Sequence, residues 1–177
     1  KKLWCSNVPD TKRSISELKI KGKIMSEETK EYARFQRANY IVSDLKKSLK
    51  LYCDVLGFIN QYESDAPDDS YSYDVFEIDH SKKVRWAVLG TEDQLRVMAL
   101  TEIQDTDLPA APLPRRCAIV VDVGNIDRIV KGAADLGCKI HHEDKLVTHD
   151  GRVGREVGIV DFDGNLVVIY NIPENKN

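Results

Sequence analysis

The sequence predicts an α+β fold in which one structural unit occurs twice. A strand, a capped helix and then further strands span residues 38–102, and the same order returns at residues 117–170. A Pro-rich segment lies between the two copies, and proline can neither donate to a sheet ladder nor continue a helix. Two copies with the same order and a linker between them indicate a duplicated module.

The first copy begins with a predicted strand at residues 38–42. A side-chain oxygen of Ser43 or Asp44 can cap the helix that follows. One apolar helical face is then formed by Leu45, Leu49, Tyr52 and Leu56. Gly57 ends the helix because glycine tolerates the left-handed conformation. Three strand-like runs follow, at residues 71–78, 84–89 and 95–102.

The second copy repeats this pattern from a predicted strand at residues 117–121. Asn125 is the candidate cap and Gly137 the candidate end of the helix. Its apolar face is formed by Ile126, Ile129, Val130, Ala133 and Leu136. Strands at residues 156–160 and 165–170 are joined by a segment containing Asp163-Gly164, a typical hairpin turn. We therefore expect module one at residues 35–103, a linker at 104–115 and module two at 116–172. An extension (1–34) precedes them and a tail (173–177) follows.

Composition places the chain among ordinary globular proteins, with 177 residues, 42% hydrophobic and 31% charged. No apolar run approaches the roughly 20 residues of a membrane span. Residues 1–34 hold nine basic and five acidic residues, whereas the remainder holds 17 basic and 24 acidic ones. An acidic body argues against nucleic acid as a partner. We interpret the basic head as a solvated lead-in, with contact to an acidic partner or lipid surface as the alternative.

Four scattered cysteines show neither zinc-site spacing nor the density of a disulfide framework, so we expect free thiols. They are Cys5, Cys53, Cys117 and Cys138. Because the first residue is Lys1 and not Met, we expect a chain that was either processed or artificially shortened. The compartment stays open, with the cytoplasm slightly favoured and an exported mature chain as the alternative.

The two modules resemble the vicinal-oxygen-chelate superfamily, which includes glyoxalases, bleomycin-resistance proteins and extradiol dioxygenases. The similarity rests on residues 42–58 of module one and on two segments of module two, Gly154-Arg155-Glu156 and the closing hairpin at residues 161–165. In that hairpin Phe162 replaces the proline of the family pattern. The resemblance covers about residues 36–172. It implies two βαβββ modules forming a U-shaped mixed sheet around a cleft, commonly in a homodimer.

Enzymes of this family usually hold a divalent metal in the cleft through His or Glu ligands. Carried over by position, the four ligand sites fall on Arg37, Ala99, Arg116 and Val168. Guanidinium has no lone pair to donate, and Ala and Val have no polar side-chain atom. The sequence therefore predicts no bound metal and no other cofactor.

Because strand side chains alternate between faces, the same register predicts which residues face the cleft. The predicted small-molecule site comprises Arg37, Asn39, Ala99, Thr101, Arg116, Val168 and Tyr170. Two guanidiniums favour an anionic ligand gripped by bidentate hydrogen bonds. The alternative is an internal ion pair with an acid such as Glu102 or Glu156. A wrong register would remove both interpretations.

The remaining candidates each have a plainer interpretation beside the functional one. The segment His141-His142-Glu143-Asp144 suggests a metal cluster, but adjacent strand residues point to opposite faces, so a surface loop or strand end is the favoured interpretation. His149 is a candidate general acid or base or an exposed loop histidine. The stretch from Asp65 to Asp79, with Asp68, Asp69, Tyr71 and Tyr73, is either a ligand-stacking lid or a solvated loop leading into a strand. Trp86 and Cys53 are expected to be structural.

These observations predict a metal-independent protein that binds a small, anionic organic molecule. A lyase, isomerase or dioxygenase-like enzyme using acid–base chemistry or an unrecognised metal site is the alternative, and no catalytic residue is assigned. A scaffold without a ligand is the third class, indicated if the cleft is filled by its own side chains.

Overall fold

A computed structural model describes residues 33–173 of the chain. The chain divides into two compact units, Lys1–Phe35 and Gln36–Asn177, and both modules lie in the second. Almost all of the predicted extension and tail lies outside the described residues. The fold described below is that of the second unit.

Module one forms a four-stranded mixed sheet with the strand order β1-β4-β3-β2. Strand β1 is parallel to β4, and the other neighbours are antiparallel. A π-helical stretch, Lys50–Val55, directly continues the first helix. The elements are β1 (Ala38–Val42), α1 (Leu45–Leu49), β2 (Ile59–Asp65), α2 (Tyr71–Val75), β3 (Val84–Gly90) and β4 (Met98–Ile103).

Module two repeats this arrangement with the strand order β5-β9-β8-β6, and β7 also pairs with β8. Strands β6 and β7 pair with different ends of β8, so together they take the place that β2 has in module one. The elements are β5 (Ala118–Asp122), α3 (Ile126–Asp135), β6 (Lys139–Ile140), β7 (Asp144–Val147), β8 (Val153–Val160) and β9 (Leu166–Asn171). The two mixed sheets confirm the predicted α+β fold.

The predicted helix boundaries are confirmed at both ends of each helix. Asp44 caps α1, since its Oδ1 accepts from the Lys47 N–H at 2.8 Å. Asn125 caps α3 in the same way, through the Arg128 N–H at 2.9 Å. The two terminating glycines have φ angles of +88° and +84°, in the region that glycine adopts without steric cost.

Both modules share one hydrophobic core on the helix side of their sheets. It contains the strand residues that alternate with the predicted cleft-facing ones, namely Tyr40, Val42, Met98, Leu100, Val167 and Ile169, with Ile119 and Val121 packed against it. By alternation Cys117 would belong to the same set, but it lies before β5 and is exposed. Gly132 of α3 approaches Val55 so closely that an added Cβ would lie 3.0 Å from its side chain.

One predicted strand is wrong, and several strands were not predicted. Residues 71–78 form helix α2 and a turn, because Ser70 caps a short helix and Tyr73 packs inward from it. Strands β2, β6 and β7 carry few apolar residues and are mostly exposed, so they lack the buried pattern that identifies a strand in sequence. Within residues 33–173, no helix is both long and apolar enough to cross a bilayer.

The Pro-rich segment packs on the closing hairpin of module two. The Arg115 guanidinium donates to the Gly164 carbonyl, and a Cβ added at Gly164 would lie 2.6 Å from Ala111. Gly164 itself has a φ of +87° in the predicted hairpin turn. Cys53, Cys117 and Cys138 are free thiols, and Cys5 lies outside the described residues.

Candidate functional site

Strand registers show which predicted site residues share a face. Asn39 pairs with Ala99, and Ile41 pairs with Thr101, so these four lie on the face of the first sheet opposite the helices. Val168 and Tyr170 lie on the corresponding face of the second sheet. We call this face of either sheet, which lies opposite α1 and α3, the site face.

The site face of module one carries a polar pair over a buried floor. Thr101 Oγ1 donates to Asn39 Oδ1 at 3.0 Å, and both Ala99 and Thr101 have no exposed surface. Asn39 Nδ2 is buried and has no hydrogen-bond partner among the described residues. Arg37 is half-buried and lies immediately before β1, two residues from Asn39.

The site face of module two is open. Val120 pairs with Val168 and is 65% exposed. Tyr170 lies between Asp122 on one side and Glu156 on the other, so two carboxylates flank its ring position. This face therefore combines an exposed apolar floor with an acidic row.

Arg116 does not occupy the position that the sequence comparison of the two modules gave it. It is exposed and lies two residues before β5, whereas Arg37 adjoins β1. Counting back seven residues from the two helix caps, Asp44 and Asn125, matches Arg37 with Ala118. Val123, which is buried in the core, is the counterpart of Val42, so a match of Val42 with Val121 places the ligand position two residues too early.

Glu102 is excluded as the ion-pair partner that the sequence suggested for an arginine in the cleft. It pairs with Val42 and Arg85 on the helix side of the sheet. There its Oε1 accepts from the Leu45 N–H at 2.8 Å, at the start of α1. A carboxylate is favourable at that helix end. Glu156, by contrast, does lie on the site face.

Helix α2 fills one end of the site face of module one. Tyr73, Ile78 and Val84 form a second buried cluster, against which Trp86 and other apolar residues pack. The Asp65–Asp79 stretch is therefore partly a structural cover, with Tyr73 inside and Tyr71 62% exposed. This filling is the observation that favours the scaffold class for part of the cleft.

Among the histidines, His141 was not singled out from its neighbours by sequence, yet it lies on the site face of module two. A Cβ added at Gly158 would lie 3.2 Å from His141 Cδ2, so the imidazole covers this glycine. Gly158 pairs with Val168, which fixes the face. The sequence signal that could have identified this position is Gly158, because a glycine inside an otherwise apolar strand often marks a place where another group approaches the backbone closely. His149 is exposed in the turn between β7 and β8.

The residues that the family resemblance places at metal-ligand positions carry side chains that do not bind a metal ion. They are Arg37, Ala99 and Val168, together with Arg116 as predicted from the sequence or Ala118 as matched by the helix caps. None of these side chains has a lone pair for a cation. Within residues 33–173, no group of three or more His, Cys, Asp or Glu side chains is arranged to hold a metal.

Two cavities lie away from the predicted site residues. A polar groove of about 610 Å³ lies at the end of β1 and β4 and is lined by acidic residues, including Asp44 and Asp105, with Arg85 opposite. A second cavity of about 380 Å³ lies between Phe58 and the start of α3. Neither cavity is lined by any of the seven predicted site residues.

A buried carboxylate lies where the two modules meet. Asp161 is 6% exposed and accepts from the Tyr52 hydroxyl at 3.0 Å and from Asn165 Nδ2 at 2.9 Å. Burial raises the pKa of Asp161, although these hydrogen bonds oppose the rise. Burial likewise raises the pKa of Tyr40 to about 12. Both groups therefore hold their protons more tightly than they would in water.

The sequence matches one protein-family model over residues 34–169, that of the Glyoxalase/Bleomycin resistance protein/Dioxygenase superfamily. No curated protein gives a significant match. Solved structures do match, at low identity. A glyoxalase family protein from Bacillus cereus is 16% identical, with a TM-score of 0.63 over 83% of this chain and 99% of that one.

Two further structures show the same fold. Leishmania major glyoxalase I, described as trypanothione-dependent, is 21% identical, with a TM-score of 0.56 over 79% of this chain and 87% of that one. A glyoxylase/bleomycin resistance protein/dioxygenase domain from Frankia is 15% identical, with a TM-score of 0.56 over 81% of this chain and 100% of that one. At these identities the likeness establishes the fold alone.

Proposed function

The chain belongs to the glyoxalase/bleomycin resistance protein/dioxygenase superfamily, and we propose that it binds a small organic molecule bearing an anionic group. The ligand lies on the site face and is held without a metal ion at the family's ligand positions. We also propose that the protein forms a homodimer, as proteins of this family commonly do.

The Asn39 amide is the observation that carries this proposal. Its oxygen already accepts from Thr101, while its buried Nδ2 has no partner among the described residues. A buried donor without an acceptor costs roughly 1–3 kcal/mol, which a ligand oxygen would recover. Arg37, two residues earlier, adds a guanidinium, which suits a carboxylate or phosphate.

The side chains at the four family metal positions support metal independence. A carboxylate or imidazole is needed to hold Zn²⁺, Fe²⁺ or Mn²⁺ there. Arg37, Ala99, Ala118 and Val168 supply neither. We therefore expect added Zn²⁺ or Mn²⁺ to leave the melting temperature and the ligand affinity unchanged.

The test begins with native mass spectrometry of the purified full chain, which reports co-purified small molecules, metal and dimer mass together. Binding of octanoate and inorganic phosphate is then measured by titration calorimetry. We expect Arg37→Ala and Asn39→Leu each to weaken binding of the preferred anion at least tenfold. Arg152→Ala, which removes an equal charge from an exposed turn, should not.

Two outcomes would count against the proposal. Unchanged binding in both site variants would place the ligand elsewhere. Absence of binding to the wild-type chain, together with no co-purified molecule, would favour the scaffold class, since α2 already fills part of the face. A circular-dichroism melt of each variant separates lost binding from lost folding.

A further inference from the structure

The site face of module two differs in chemistry from that of module one. In module one the polar groups are donors, Arg37 and Asn39. In module two the row through Tyr170 pairs it with Asp122 and Glu156, and Glu156 pairs in turn with Asp144. Three carboxylates on one face attract donors and repel a second anionic group.

Next to this row lies an apolar floor with an imidazole at its end. Val120 pairs with Val168, Val168 pairs with Gly158, and the His141 ring covers Gly158. Val120 is 65% exposed, although a valine on a sheet face gains free energy from being covered. The floor therefore suits the apolar body of a ligand.

Strands β1 and β5 are the neighbouring edge strands of the two sheets, joined from the core side by the Tyr40 side chain. The Tyr40 hydroxyl of β1 accepts from the Ile119 N–H of β5 at 2.8 Å and donates to the Leu166 carbonyl of β9 at 2.6 Å. Within the second sheet, β5 and β8 are separated by two strand steps of roughly 5 Å each. A molecule that extends from the β1 edge to Glu156 must therefore be at least about 10 Å long.

We propose that the ligand is an organic acid with an apolar body and a hydroxyl or amino group at its far end, which Glu156 and His141 receive. This inference rests on the proposed function, because Arg37 and Asn39 hold the acid group. Glu156 accepts from the O–H or N–H donor, and the carboxylate row rejects a second anion. His141 forms the end wall, held in place by contact with Gly158.

Four probes with eight carbon atoms each test this selectivity: octanoate, 8-hydroxyoctanoate, 8-aminooctanoate and octanedioate. We expect the wild-type chain to bind 8-hydroxyoctanoate or 8-aminooctanoate at least fivefold more tightly than octanoate. Octanedioate should bind at least fivefold more weakly than octanoate. The relative affinities for 8-hydroxyoctanoate and 8-aminooctanoate show whether the site prefers an O–H or an N–H donor.

Variants of module two should change this selectivity, which is measured in each variant as the affinity for a probe relative to the affinity for octanoate. Glu156→Gln keeps the shape of the side chain and removes its charge, so octanedioate should be disfavoured less strongly, although Asp122 and Asp144 remain. His141→Ala and Gly158→Ala should each reduce the preference for a donor group, the second by displacing the ring a few tenths of an ångström. His142→Ala is the matched control and should behave as wild type.

The outcomes separate the two proposals. Equal binding of all four probes, lost in Arg37→Ala, would overturn this inference and leave the proposed function standing. Selectivity that survives both Glu156→Gln and His141→Ala would also overturn it. Binding of none of the probes to the wild-type chain would overturn both.

Discussion

Asp161 is the side chain whose surroundings most constrain the junction of the modules. Besides Tyr52 and Asn165 Nδ2, it accepts from the backbone N–H groups of Asp163 and Asn165, at 3.0 and 2.7 Å. These bonds fix the closing hairpin, and the Tyr52 bond joins it to the helix of module one. One buried carboxylate therefore links local turn geometry to the packing of the modules.

Removing the Tyr52 hydroxyl should destabilise the fold, because a buried carboxylate oxygen loses a donor. We expect Tyr52→Phe to lower the free energy of unfolding by about 1–3 kcal/mol in urea titrations. Tyr62→Phe is the matched control, since Tyr62 is 45% exposed and should change stability by less than about 0.5 kcal/mol. Equal effects of the two variants would contradict a structural role for the Tyr52–Asp161 bond.

Asp161 should also make stability depend on pH in an unusual direction. Its pKa is raised by burial, so the folded chain binds this proton more tightly than the unfolded chain does. The contribution of Asp161 to stability is therefore present below about pH 4 and is lost as pH rises through the folded-state pKa.

The measurement is urea unfolding of wild type and Asp161→Asn at several pH values. The wild-type free energy of unfolding should fall relative to that of the variant as the pH rises above about 4. Asp69→Asn, at an exposed position, should keep the wild-type profile. A difference that moves in the opposite direction would show that the hydrogen bonds outweigh burial.

At the scale of elements, the two helices differ by one residue between cap and terminal glycine. Thirteen steps separate Asp44 from Gly57, and twelve separate Asn125 from Gly137. Module one accommodates the extra residue in its π-helical stretch, where the Leu56 N–H donates to the Leu51 carbonyl five residues back. Both helices therefore end in register with the next strand despite unequal lengths.

The left-handed glycine that ends the first helix should be replaceable only at a cost. Gly57 has a φ of +88° with no atom near its missing Cβ, so Gly57→Ala meets backbone strain alone. We expect a loss of about 1–2 kcal/mol in the free energy of unfolding. Gly124 also has open space but no positive φ, so Gly124→Ala should be neutral or slightly stabilising. Similar losses in both variants would exclude strain as the cause.

At the scale of the whole second unit, the modules behave as one folding body because they share a core. One cluster of buried residues includes members of both sheets, of α1, of the π-helical stretch and of α3. Polar bonds add to it, since Asn165 Nδ2 donates to the Ile41 carbonyl at 3.1 Å and Tyr40 bridges β1 to β5 and β9. Neither sheet can cover its helix face alone.

Hydrogen exchange should therefore give matching opening free energies for the two modules. We expect the amides of Leu100 in β4 and Ile169 in β9 to exchange only through global unfolding, with values within about 1 kcal/mol of each other. Tyr40→Phe orphans the Ile119 N–H and the Leu166 carbonyl, so it should lower both values together by about 1–3 kcal/mol. A drop confined to one module would show that the modules unfold separately.

Local chemistry made much of this fold predictable. Caps, terminal glycines and the hairpin turn depend on one to four adjacent residues, and all were confirmed at Asp44, Asn125, Gly57, Gly137 and Gly164. The exposed strands β2, β6 and β7 were not predictable, because pairing with β3 or β8 decides them. Helix α2 was mistaken for a strand because Tyr and Val suit either structure in a short run.

The sequence predicted which strand residues of the candidate site share a face, but it did not predict which groups surround them. Alternation along β1, β4 and β9 placed Asn39, Ala99 and Val168 on one kind of face, and the registers agree. The position of Arg116 was not fixed by alternation, because the end of β5 depends on which valine packs on α3. The His141 position depends on the missing side chain of Gly158, across a strand pair.

The sequence by itself determined the α+β class, the duplicated module and the faces of the apolar strands, because periodicity and capping act between near neighbours. Only the tertiary structure decided that α2 covers part of the site face and that Asp161 is buried at the junction of the modules. It also decided that Ala118 is the residue of module two equivalent to Arg37 of module one. Those features depend on contacts between residues far apart in the chain. Packing and desolvation, which act only in the folded molecule, therefore set the chemistry of the site.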